Sequence, residues 1–120
     1  MANDTPISIT LYELFARKKE FVGKKVRIKA FFVVSKYVDE ISAIYPTHID
    51  YKYDLNNMVN FMLDRSLKLD DKFVREKNKK YCTIEGIVSL YKADWGLFDF
   101  TLDKVTRVDV NSSLRREDRF

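Results

Sequence analysis

The feature that most constrains this chain is a run of strict alternation. From Gly23 to Val34, Val26, Ile28, Ala30, Phe32 and Val34 fall on one side of an extended backbone. Lys25, Arg27, Lys29, Phe31 and Val33 fall on the other. Successive side chains of a strand point to opposite faces, so this pattern of β-branched and aromatic residues marks a strand with one face in a core. Its length predicts the first wall of a small barrel, with later strands pairing along it.

The residues around that run supply the rest of the fold. Residues 1–6 read as a flexible polar lead-in, 7–110 as one domain and 111–120 as a flexible polar tail. Ile7-Ser8-Ile9 predicts a short strand. Thr10 with Glu13 three residues on has the form of a capping box. It predicts one helix with Leu11, Leu14, Phe15 and Phe21 on its apolar face, stopped by Gly23. Ser35 to Glu40 is a loop, and Ile41 to Tyr45 a short strand ended by Pro46. Thr47 caps a helical turn, with Asp50 three residues on. Met58 to Leu63 predicts a third strand with Val59, Phe61 and Leu63 inward. Asp70 to Lys77 predicts a short helix that packs Phe73 and Val74. Tyr81 to Tyr91 predicts a fourth strand with Cys82, Ile84, Gly86, Val88 and Leu90 on one face. Lys92 to Gly96 is a turn. Leu97 to Leu102 is a fifth strand with Phe98, Phe100 and Leu102 inward, and Val105 to Val110 adds a last one.

Three strands, a helix and two strands, with long first and fourth strands, is the order of an OB-fold-like, five-stranded Greek-key β-barrel. The helix before the first strand is an addition. A split βαβ sandwich would need a crossover helix between the first two strands, and Ser35 to Glu40 is too short for one. Ala30 and Gly86 put a small residue mid-strand among bulky ones, where a strand must coil tightly.

The same residues resemble a group of small, largely uncharacterised bacterial OB-like proteins. The likeness runs through Phe21-Val22-Gly23-Lys24-Lys25-Val26-Arg27-Ile28-Lys29-Ala30, then Ala43-Ile44-Tyr45, Asp50-Tyr51, Asn57, Ile84-Glu85-Gly86 and Leu102-Asp103-Lys104-Val105-Thr106-Arg107. It covers most of Leu11 to Val108. Two features depart from the pattern: the mid-strand glycine is Ala30 here, and a Gly-His-x-Gly turn is replaced by Ala93-Asp94-Trp95-Gly96. The resemblance implies the barrel and a bacterial origin, and no reaction.

Composition narrows function. Hydrophobic content of 46% with 33% charged residues suits a folded, soluble domain, and 120 residues suffice for a core without metal or disulfide. The net charge of +4 comes from 22 basic and 18 acidic residues interspersed along the chain, unlike the concentrated basic field of a typical nucleic-acid binder. No apolar run reaches the roughly 20 residues of a membrane-spanning helix. Residues 1–6 have neither the basic nor the apolar region of a signal peptide, so the chain as given reads as cytoplasmic, and as periplasmic if a leader was removed.

Catalytic chemistry finds few residues. His48 and Cys82 are the single histidine and the single cysteine, they fall on different predicted elements, and the three glycines are scattered. A catalytic site, a metal site and a cofactor are therefore not expected. Two binding readings remain. Tyr37, Tyr45, Tyr51 and Tyr53, with Met58 and Met62 and the acids Asp39, Glu40, Asp50 and Asp54, would form an aromatic, acid-rimmed patch suited to a basic protein partner. A small barrel with such a face could act as an immunity or inhibitor protein. Alternatively Arg27, Lys29 and Phe31, with Trp95, offer cations and rings to single-stranded nucleic acid. The plain reading of that stripe places Phe31 and Val33 under the leading helix. An unpaired edge strand would allow two chains to pair.

Overall fold

The computed structural model describes residues 5–37, 42–53, 57–92 and 98–111. Its elements are β1 (Ile7–Ile9), α1 (Leu11–Ala16), α2 (Lys18–Phe21), β2 (Lys25–Val33), β3 (Ala43–Tyr45), α3 (His48–Lys52), β4 (Val59–Leu63), α4 (Asp71–Lys77), β5 (Lys80–Lys92) and β6 (Phe98–Val110). The wall runs β2–β3–β4–β6–β5 and returns to β2, a closed mixed barrel with β4 and β6 parallel and the other wall pairs antiparallel. This is the strand order of an OB-fold-like barrel. β1 lies parallel to β2 along the edge that β3 takes farther on. Because β2 and β5 pair from Lys25 to Phe32, the barrel closes, and the edge available for pairing two chains is reduced.

The alternation in β2 sets the core. Val26, Ile28, Ala30, Phe32 and Val34 are buried together with Ile44, Val59, Phe61, Cys82, Ile84, Val88, Phe100, Leu102, Val105 and Val108. Each large apolar side chain fully buried there contributes roughly 1.5–3 kcal/mol. Phe32 stacks on Phe61 with ring centroids 4.8 Å apart and meets Phe73 of α4 edge-on at 6.2 Å.

The leading helix departs from expectation. The capping box forms, with Thr10 and Glu13 exchanging bonds of 3.0 Å, and Leu11, Leu14 and Phe21 are buried. However, the chain breaks at Arg17, whose backbone leaves the helical region at φ −133 and ψ 37, so two short helices stand where one was expected. The break lets Phe21 join Leu11 and Leu14 in a single core. Gly23 follows at φ 84, a conformation open to glycine, and its N–H donates to Val88 O at 2.7 Å.

The two expected final strands are one strand. β5 passes from Glu85 to Ile87 while β6 passes from Arg107 to Asp103, so extra β6 residues bulge there, with Lys104 at φ 46. The bulge turns β6 so that one strand serves both β4 and β5. Gly86 makes the space: a Cβ on it would lie 2.9 Å from both Asp103 O and Leu102 Cγ. Leu90, expected inward, is 43% exposed.

Candidate functional site

The outward face of β2 carries a second, smaller apolar cluster. Phe31 and Val33 are buried with Ala43 and Tyr45, and Tyr51 and Tyr81 pack against them. The element that covers Phe31 is α3, together with Tyr81 of β5, and not the leading helix. Phe31 meets His48 at 5.2 Å, Tyr51 at 5.6 Å and Tyr81 at 5.3 Å, and Tyr51 meets Tyr45 at 5.4 Å.

Local chemistry explains why α3 sits there. Thr47 Oγ1 accepts from Asp50 N–H at 3.3 Å, and its hydroxyl donates to Asp50 Oδ2 at 2.6 Å. Asn57 Nδ2 donates to Asp50 Oδ1 at 3.0 Å, tying the start of the helix to the chain that follows it. Burial alone would raise the Asp50 pKa, but these bonds hold it below the usual carboxylate range. Asp50, expected on the rim of a binding patch, is 6% exposed and works as an internal cap.

Between residues 33–37, α3, and α4 with the turn that follows it lies an open groove of about 960 Å³. Val33, Val34 and Val74 line it with the rings of Tyr37, Tyr45 and Tyr51, and Lys36, Lys52 and Lys79 bring cations. Tyr37 is 60% exposed, whereas Tyr45 is buried and Tyr51 half-buried. Lys79 Nζ stands 5.7 Å from the Tyr51 ring centroid, Lys52 Nζ 5.4 Å from Tyr53, and Lys36 Nζ 5.6 Å from Tyr37. Lys36 also pairs with Asp71 at the start of α4.

Of the residues expected to form a protein-binding patch, the structure brings Tyr37, Tyr45 and Tyr51 onto one groove. Tyr53 is exposed at the C-cap position just after α3. Met58 and Met62 are exposed on and beside β4, with Met62 at 64%. Ala43 pairs with Asn60 and Ile44 with Val59, and continuing that register sets Met58 across from Tyr45. Asp54 lies outside the described residues. Lys36, Lys52, Lys79 and Tyr81 were not singled out from the sequence, because no local pattern says that residues 79–81 return beside the end of β2.

The nucleic-acid stripe is largely occupied. Arg27 Nε donates to Glu85 Oε2 at 2.8 Å, and Arg107 donates to the same oxygen at 2.6 Å. Burial alone would raise the Glu85 pKa, and the two guanidiniums bring it below its ordinary value. Phe31 is 2% exposed and offers no free face for a base. Lys29 is exposed, and Trp95 lies outside the described residues. β3 and β4, the strands most used by OB-folds for oligonucleotides, carry no Lys or Arg.

Cys82 and His48 lie on different sides of the wall, Cys82 within the inner core and His48 against the outer cluster. Burial pushes the Cys82 thiol up to about 12. Among the described residues, no group of three or more His, Cys, Asp or Glu stands close enough to hold a metal ion, and no helix is long and apolar enough to cross a membrane. No family model and no curated protein matches the chain.

Proposed function

We propose that this protein is a non-catalytic binding protein whose partner is another protein, engaged through the groove between residues 33–37 and α3. The observation that carries the reading is the exposed Tyr37 ring in one groove with Tyr45 and Tyr51 and with Val33, Val34 and Val74. Tyrosine presents a large rigid surface with a polar tip, and apolar lining around such rings is the composition of an interface centre. Met58 and Met62, exposed beside and on β4 and outside the groove lining, would add apolar surface without charge. A protein of this kind acts by covering its target, as an immunity or inhibitor protein does.

Single-stranded nucleic acid is the second reading, favoured by the three lysines placed near tyrosine rings. Titration with a labelled oligonucleotide at low and at moderate salt separates the two. The protein reading expects no saturable binding at low salt. Tight binding that weakens steeply with salt and is lost in Lys52→Ala/Lys79→Ala would put nucleic acid first.

A further inference from the structure

We propose that the groove takes an acidic stretch of the partner protein, with a partner carboxylate replacing Asp71 on Lys36. The inference rests on the groove being the partner-binding surface. Among the described residues, its lining carries three lysines, Lys36, Lys52 and Lys79, against one carboxylate, Asp71. No described carboxylate pairs with Lys52 or Lys79. Each lysine stands by a tyrosine ring, so an incoming carboxylate would meet its cation beside an aromatic face. Of the expected acid rim, Asp50 is turned inward, and Asp39, Glu40 and Asp54 lie outside the described residues.

One of these lysines, Lys79, is positioned by the backbone. Lys79 N–H donates to Phe32 O at 2.7 Å, and Asn78 Oδ1 accepts from Val34 N–H at 2.9 Å, so the turn before β5 is bound to the end of β2. Lys79 adopts φ 58 there, a conformation that L side chains rarely take and that surrounding bonds must enforce. The Lys36–Asp71 pair is of another kind. Both side chains are exposed, and such a pair contributes little and exchanges readily with a competing carboxylate. Lys36 holds the Asp71 carboxyl below the usual carboxylate range, so at neutral pH it stays ionised and competes for that lysine. The partly open side chains of Val74 and Tyr51, with exposed Tyr37, would seat an aliphatic or aromatic side chain next to the acidic residues.

The test uses three short fluorescent peptides: phenylalanine and leucine among glutamates, the same with glutamines, and the same with lysines. The full chain is expected to bind the glutamate peptide, more weakly at higher salt, and the lysine peptide not at all. Asp71→Asn is expected to tighten the glutamate peptide by about threefold and leave the glutamine peptide unchanged. Lys79→Gly removes a cation at a position where glycine fits the backbone, and is expected to weaken the glutamate peptide by about threefold to tenfold. Equal binding of glutamate and glutamine peptides, or no change in Asp71→Asn, would overturn the acidic assignment and leave the groove as a binding surface. Failure of every peptide to bind would overturn both.

Discussion

The backbone N–H of His48 donates to the hydroxyl of Tyr81 at 2.9 Å, fastening the first residue of α3 to the barrel wall. A helix of this length is not stable alone in water, so its place over Phe31 depends on such bonds and on ring packing. Tyr81→Phe keeps the ring and removes the hydroxyl. The expected cost is about 1 kcal/mol in urea unfolding, with faster amide exchange confined to α3 and the groove beside it.

Asp50 and Glu85 make the fold acid-sensitive. Both have folded pKa values below their unfolded ones, Asp50 through Thr47 and Asn57, and Glu85 through Arg27 and Arg107. A carboxylate depressed in this way contributes stability above its unfolded pKa and loses it as pH falls through the folded pKa. Urea stability is therefore expected to hold from neutral pH down to about 5 and to decline below about 4. Glu85→Gln should lose about 2 kcal/mol at neutral pH and show a shallower decline in acid, because the charge that titrates is gone. An unchanged acid limb in Glu85→Gln would remove this network from the explanation.

Gly86→Ala tests the bulge in β6. The added methyl would meet Asp103 O, a backbone atom that cannot rotate away. A loss of about 1–3 kcal/mol is expected in thermal or urea unfolding. A neutral result would mean that β6 has slack at Asp103.

Cys82 should be silent in the folded protein. Its side chain is fully buried in the wall and its thiol is pushed up to about 12. A thiol-reactive disulfide reagent at mildly alkaline pH is expected to label it only after denaturant is added. Fast labelling of the native protein would show that β5 opens.

Much of the barrel was legible in the sequence because alternation reports burial directly. β2 alternates in burial from Lys25 to Ala30 as its pattern says, and the caps Thr10 and Thr47 are local signals that the structure keeps. What lay beyond local pattern was decided by contacts distant in sequence. Phe31 and Val33 were correctly placed on the face opposite the core, but only the fold shows that α3 and Tyr81 cover them. Asp50 reads as surface charge until Asn57 is brought against it. The groove was half legible: its tyrosines stand out by type, whereas Lys36 and Lys79 become its neighbours only when β5 pairs back along β2.

The most direct measurement of the groove as the partner-binding surface is site-specific photocrosslinking in cells that carry the natural partner. A photoreactive phenylalanine analogue would replace Tyr37, or, as a control, Tyr12, which is exposed on α1 away from the groove lining. The account predicts a discrete protein adduct from position 37, destroyed by protease and untouched by nuclease, and none from position 12. Adducts of equal yield from both positions, or a nuclease-sensitive adduct at position 37, would contradict it.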